Sequence, residues 1–298
     1  MIKISNLNKS YGNKKVLENL NCTINTNSIY GFVGANGAGK STLLRLINDV
    51  FKPDSGNIEI DGKTILDNQE LKQKLVFVPD DLYFFPNYTL KDMANFYNSM
   101  YKNFDMEYLK KLAEILKLDI NTKVQNFSKG MKRQCALICA ISTNADYMFF
   151  DETFDGVDPV IRGLLKKIIA KQMEKKETTI VMTSHNLREL EDICDNLALI
   201  YKGGVLFESE VNNLKTNMFK VQISLKEEFD KDTFKEYNLL NFKKVGSVAT
   251  LILKGEKEKV KEKLENLNPI ILDFLPITLE EMFIYEMEVL GYEFNQVF

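Results

Sequence analysis

The sequence predicts an α/β protein with a helical segment inserted into its core and a second, smaller α+β domain after it. Three observations predict this. Over the first 210 residues, short β-branched and aromatic runs alternate with longer stretches of helical period. Between about 81 and 145 the strand signal fades and the helical pattern dominates. From Asn217 onward the pattern changes to short strands with intervening helices. A length of 298 residues fits two domains at roughly 150 residues each. The first is read as 1–215 and the second as 217–298.

In chain order, strands are expected at 2–4, 20–24, 29–33, 57–60, 75–78, 147–151, 179–183, 197–201 and 205–208. Helices are expected at 40–50, 106–116, 131–142, 160–175 and 186–194. Strands alternating with helices point to a sheet that is at least partly parallel. In the second domain, strands are expected at 219–225, 240–246, 249–253 and 270–275, with helices at 232–237 and 256–267. The 256–267 helix carries Glu-to-Lys pairs four residues apart. The resulting order, βαββαβ, is that of a ferredoxin-like unit. A last helix over 278–290 opens with Thr278-x-x-Glu281, a capping box. Its apolar residues Leu279, Met282, Phe283, Met287 and Leu290 share one face.

The balance of 45% apolar and 27% charged residues is that of a globular protein and excludes a disordered chain. With 39 basic and 42 acidic residues, net −3, the surface is too balanced to be held on nucleic acid by a broad basic face, and no nucleic-acid partner is expected. No run of 18 apolar residues is present to cross a bilayer, and residues 1–12 lack the apolar core of a signal peptide, so a cytoplasmic location is expected. Cys22, Cys135, Cys139 and Cys194 contain no CxxC pair and are read as buried free thiols. A zinc site on Cys135 and Cys139 would need two more ligands, and His185 is the single histidine in the chain.

Gly34-Ala-Asn36-Gly37-Ala-Gly39-Lys40-Ser41 fits G-x-x-x-x-G-K-[ST], between an expected strand and an expected helix. Glycines let the backbone wrap closely and aim successive N–H groups at phosphate oxygens. The helix that follows presents its positive end to the same anion. Gly34, Asn36, Gly37, Gly39, Lys40, Ser41 and Thr42 are therefore candidate nucleotide-binding residues, with Lys40 reaching the β- and γ-phosphates and Ser41 a Mg²⁺ ligand. Tyr147-Met-Phe-Phe-Asp151-Glu152 is an apolar strand ending in two acids. Beside a phosphate loop, this is a Walker-B arrangement: Asp151 for Mg²⁺ and Glu152 to polarise the attacking water.

Further motifs, in their order, resemble those of an ATP-binding-cassette (ABC) transporter ATPase. Ser128-Lys-Gly130-Met-Lys132-Arg-Gln134 resembles the family's signature segment and lies 23 residues before Asp151. Gly156-Val-Asp158-Pro159 resembles the D-loop, Ser184-His185 the switch-histidine loop, and Tyr11 the aromatic residue that stacks on adenine. The match covers about residues 1–215 and implies a P-loop NTPase core of the ABC-ATPase type. The resemblance implies that each subunit binds ATP and Mg²⁺ on its phosphate loop. The signature segment of a second subunit, through Ser128 and the backbone at Gly130, would close over the γ-phosphate. Lys40, Glu152 and His185 would be catalytic, with Glu152 the base, and Asp158 would couple the two sites. The partners implied are ABC-type transmembrane permease subunits and a second ATPase subunit, in a homodimer or a heterodimer. The chain would then sit peripherally on the inner face of the membrane.

Four positions depart from the family pattern. Asp80 stands where a glutamine is usual and is a candidate further Mg²⁺ ligand; Lys129 and Met131 replace signature residues; Thr153 replaces the usual proline after the base. The form FSKGMKRQ resembles ATPases of bacterial exporters that handle drugs, antimicrobial peptides or other amphipathic cargo. Two other functions stand beside export: a soluble ABC-type ATPase acting on a ribosome or nucleic acid, and a non-catalytic ATP-dependent binding or immunity module. The single cassette and the 86 residues between Ser41 and Ser128, without sustained heptads, weigh against the first. The intact Glu152 and His185 weigh against the second. A membrane-subunit groove is expected near Asp80–Tyr88, with Tyr83, Phe84 and Phe85 beside it.

Overall fold

A computed structural model of the chain describes residues 1–289 apart from 67 and 155. The chain divides into two compact units, one of Met1–Glu208 and one beginning at Ser209. The first unit runs β1 (Ile2–Tyr11), β2 (Lys14–Ile24), β3 (Ile29–Val33), α1 (Lys40–Ile47), β4 (Ser55–Ile60), β5 (Lys63–Thr64), α2 (Gln69–Lys72) and β6 (Leu75–Val78). It continues through α3 (Leu90–Met100), α4 (Met106–Ile115), α5 (Lys129–Ser142), β7 (Tyr147–Asp151), α6 (Pro159–Lys175), β8 (Thr179–Ser184), α7 (Leu187–Glu191), β9 (Asn196–Tyr201) and β10 (Gly204–Glu210). The division falls within β10.

Two sheets build this unit: an antiparallel one of order β2-β1-β4-β5 and a six-stranded one of order β10-β9-β3-β8-β7-β6. From β9 to β6 every pairing in the larger sheet is parallel, so the C-terminal ends of β3, β8, β7 and β6 lie along one edge. Ligands of open parallel sheets bind outside that edge. One apolar cluster joins both sheets around α1, from Ile4, Leu7 and Leu20 to Phe32, Leu44, Phe149 and Val181. That packing holds α1, and the loop before it, against the sheet.

The helical segment is α3, α4 and α5. Thr89 and Asp92 form a reciprocal capping box that starts α3, a helix the sequence pattern alone does not resolve. Asp105 caps α4 through the Tyr108 N–H at 2.8 Å. Helix α5 is buried continuously from Arg133 to Ser142, which explains its weak amphipathic period. The expected strand at 2–4 extends to Tyr11, because Asn6 and Asn19 take left-handed backbone at irregularities of the β1–β2 ladder and interrupt its alternation. The expected helix at 186–194 shortens to Leu187–Glu191, where it ends with Asp192 out of helical geometry.

The second unit contains α8 (Val211–Asn217), β11 (Met218–Ser224), β12 (Leu239–Val245), β13 (Val248–Lys254), α9 (Lys257–Glu265), β14 (Ile271–Leu275) and α10 (Leu279–Val289). Its sheet has the order β12-β13-β11-β14, antiparallel throughout. The expected first helix is a single 3-10 turn, Lys231–Phe234, set by the Asp230 side chain accepting from the N–H groups of Asp232 and Thr233. One sheet face buries Phe219, Val221, Ile223, Leu251 and Leu253 against Phe234 and Leu264. On the other, Lys220 and Lys254 pair with Glu281 and Glu286 of α10 at 2.8 and 2.6 Å. The Thr278–Glu281 capping box forms, and Leu279, Met282, Phe283 and Met287 are buried. Leu290, assigned to the same face, lies outside the described residues.

All four cysteines are free and buried. Burial pushes the thiols of Cys22 and Cys135 up to about 12 and raises those of Cys139 and Cys194 as well. A raised thiol pKa leaves almost no thiolate at pH 8. A thiol-reactive disulfide reagent is therefore expected to titrate no cysteine in the native protein and all four in guanidinium.

Candidate functional site

The loop from Gly34 to Gly39 leaves the fully buried strand β3 and enters α1. Two of its glycines are required by space. A Cβ on Gly34 would lie 2.5 Å from the Ile200 carbonyl oxygen. A Cβ on Gly39, whose φ is +110°, would lie 2.6 Å from Leu17 Cδ2 and 3.0 Å from the Val16 oxygen. Lys40 is 4% exposed, and its ammonium donates to the carbonyls of Gly34 and Ala35 at 2.6 and 3.2 Å. The loop faces a cavity of ≈ 510 Å³ walled by Asn36, Gly37, Gly39, Lys40, Ser41 and Thr42, a volume within the range of ligand sites. Asp80, Glu152 and His185 complete its wall. Lys14 and Val16, which sequence reasoning did not select, also line it. Their signal was only that they follow Tyr11 and Gly12 across the β1–β2 hairpin.

Asp151 ends β7 and has no exposed surface. Its Oδ1 accepts from Ser41 Oγ at 3.0 Å and from Thr183 Oγ1 at 2.6 Å. Its Oδ2 is buried and has no hydrogen-bond partner among the described residues. Burial raises the Asp151 carboxyl above the usual carboxylate range, against the two hydroxyl hydrogen bonds that lower it. An unpaired buried carboxylate oxygen beside a hydroxyl is a hard donor set suited to Mg²⁺ with its remaining waters. Ser41 and Asp151 would hold that ion, which supplies charge neutralisation at the phosphate oxygens when bound.

Glu152 takes a left-handed backbone, φ 47°, rare for a residue with a side chain. Its N–H donates to the Thr183 side-chain and backbone oxygens at 3.0 and 3.2 Å. This turn aims the carboxylate into the cavity between two cationic or potentially cationic groups. Oε1 lies 3.2 Å from Lys40 Nζ, and Oε2 lies 2.6 Å from His185 Nδ1. Loop, strand end and switch position, from three distant sequence segments, thus meet in one contiguous set. The residue before the histidine is anchored too: Ser184 Oγ donates to Glu189 Oε2 at 2.8 Å, and Arg162 lies 3.4 Å from Glu189.

Ser128, Gly130, Asp158 and Tyr11 lie outside the cavity wall. Ser128 caps α5 by accepting from the Met131 N–H at 3.2 Å and is exposed; Gly130 is half-buried, and neither lines the cavity. Asp158 is exposed and caps α6, accepting from Val160 and Ile161 at 2.9 and 3.4 Å, with Pro159 at the first helical position. Tyr11 is 45% exposed, set edge-on to Phe51 at 6.0 Å, with Lys9 Nζ 5.8 Å from its ring centre. Asp80, besides walling the cavity, places Oδ1 2.6 Å from an Arg133 nitrogen.

Residues 17–155 match the family described as ABC transporter. The chain is 29% identical to the ABC transporter ATP-binding protein YtrB of Bacillus subtilis, over 95% of this chain and 97% of that one. It is 30% identical to the bacitracin transport ATP-binding protein BcrA of Bacillus licheniformis, over 72% of this chain and 71% of that one. A solved structure described as an ATP binding subunit of an ABC transporter superposes with TM-score 0.66 at 23% identity, covering 72% of this chain and 92% of that one. Fold, family, ATPase activity and the use of ATP with Mg²⁺ agree with the expectations from sequence.

Two outcomes follow from this geometry. Lys40→Ala and Glu152→Gln are each expected to lower ATP turnover by at least about 10²-fold; Lys40→Ala also loses nucleotide affinity in an equilibrium binding assay, and Glu152→Gln retains it. Asp151→Asn removes a desolvated charge beside Glu152. It is expected to raise the melting temperature of the nucleotide-free protein while abolishing the further rise that Mg²⁺ and ATP give the unaltered chain.

Proposed function

The chain belongs to the ATP-binding-cassette family of transporter ATPases, and from that premise we propose that it powers export of a drug, peptide or other amphipathic cargo through separate membrane subunits. Two ATPase subunits close on ATP, each supplying the phosphate loop of one site and the signature segment of the other. The observation that carries this reading is the division of the selected residues. Lys40, Ser41, Glu152 and His185 converge on one cavity, whereas Ser128 and Asp158 are exposed and outside its wall. Such an arrangement is half a site, suited to completion by a second subunit whose helix N-terminus faces the γ-phosphate. Within the half-site, Lys40 binds phosphate oxygens and Glu152 accepts a proton from the attacking water. His185, held against Glu152, orients that water and the γ-phosphate, and Tyr11 offers its ring to adenine.

The export reading is supported by similarity to a bacitracin transport protein. No helix among the described residues is long and apolar enough to cross a membrane. The segment before α3 supports a docking groove for them: Tyr83 is 72% exposed, and Phe85 packs against Tyr83, Tyr88 and Phe96 with ring centres 5.0 to 5.7 Å apart. Solvent-facing aromatics of this kind are enriched at protein interfaces.

The test uses a tagged Glu152→Gln form, expressed in its native cell and extracted from membranes in mild detergent. Mass spectrometry is expected to find a multi-span membrane protein bound to it. Recovery of soluble partners or ribosomes alone, with the protein absent from membranes, would overturn the export reading.

A further inference from the structure

Asp80 stands two residues beyond β6, which pairs in register with β7 so that Val78 faces Phe150. Asp80 therefore reaches the same edge of the sheet as Glu152, and both wall the cavity. Its ion pair with Arg133, at 2.6 Å, is unequal: the Asp80 side chain is 53% exposed and that of Arg133 only 2%. A guanidinium buried so deeply loses its hydration, and the Asp80 carboxylate is a counter-charge beside it. The pairing acts in the other direction too. A carboxylate on the wall of a cavity suited to a polyphosphate repels that ligand unless a cation offsets it.

Arg133 lies in α5, the helix capped by Ser128, inside the signature segment and about one turn beyond Gly130. Its Nη1 lies 3.7 Å from where a Cβ on Gly156 would stand, so the same guanidinium also approaches the loop leading to Asp158. The pair therefore spans from the cavity wall to the two exposed segments that take no part in that wall.

We propose that Asp80 is a positioning residue, and that its pair with Arg133 fixes the signature helix relative to the nucleotide cavity instead of ligating Mg²⁺. This rests on the reading of the cavity as the ATP site. Glutamine, the residue usual at this place in the family, carries no charge, whereas here an acid and a buried base stand together. The two residues act as one unit, and neither is expected to be replaceable alone.

The experiment compares Asp80→Gln, Arg133→Gln and the double substitution in the full-length protein, measuring ATP turnover against ATP and against Mg²⁺, with thermal melting alongside. Each single change is expected to lower kcat about tenfold or more. The double change, which restores a neutral hydrogen-bonding pair, is expected to return to within about threefold of the unaltered chain, with the Mg²⁺ requirement constant throughout. A raised Mg²⁺ requirement in Asp80→Gln, with kcat intact in Arg133→Gln, would make Asp80 a metal ligand and overturn the proposal. A double variant no better than the worse single would also overturn it. If Arg133→Gln does not fold, the charge-preserving Arg133→Lys and Asp80→Glu serve, each expected to keep more turnover than Asp80→Gln; equal losses would count against the pair. Glu152→Gln is run in parallel, since its full activity would refute the reading of the cavity and not the pairing.

Discussion

The structure depends on the hydrogen bonds that converge on one carboxylate oxygen. Asp151 Oδ1 accepts from Ser41 at the start of α1 and from Thr183 near the end of β8. Three elements far apart in sequence are thereby held in one place at the edge of the sheet. The apolar cluster around α1 brings them within range, but apolar packing is non-directional and would tolerate a displaced loop. The two hydroxyl hydrogen bonds set the register. They come with a cost, because Asp151 is fully buried and its second oxygen has no hydrogen-bond partner among the described residues. The two hydrogen bonds account for one oxygen of this carboxylate and not for the buried second one.

Much of this site was legible because its chemistry is local in sequence. The phosphate loop is eight consecutive residues, and Asp151-Glu152 are adjacent, so their types and spacing carried the reading. His185 was legible through the resemblance of Ser184-His185 to the family's switch-histidine loop. What could not be read is what depends on long-range geometry. The Glu152–His185 and Lys40–Glu152 contacts join residues 33 and 112 positions apart. The roles of Thr183 and Arg133 are of the same kind: a threonine in a strand and an arginine in a helix carry no signal until the elements are packed.

The fold shows the same division. Strands with continuous apolar runs, such as β3, β7 and β8, were evident, since both their faces are buried. The β1–β2 hairpin was read too short because asparagines in left-handed backbone interrupt its alternation. In the second unit the order of strands was visible as that of a ferredoxin-like unit, whereas its first helix is a single 3-10 turn. The packing of α10 was not, since the Lys220–Glu281 and Lys254–Glu286 pairs join distant positions. Those pairs, with the buried Leu279, Met282 and Phe283, cover the sheet face that the core cluster leaves.

The left-handed turn at Glu152 links the fold to the chemistry. Such backbone costs on the order of 1 kcal/mol or more for a residue with a side chain, and it persists where the surroundings over-determine it. Here the Glu152 N–H is held by two oxygens of Thr183, the same residue whose hydroxyl proton goes to Asp151. One threonine thus fixes the orientation of both acids, the buried one toward Ser41 and the half-buried one toward Lys40 and His185. An extended Glu152 would turn its side chain away from the cavity. The strain is therefore the means by which a parallel strand, whose successive side chains alternate faces, delivers two consecutive carboxylates to one site. With Lys40 and His185 against Glu152, this part of the cavity wall is held in place by the protein's own hydrogen bonds and ion pairs.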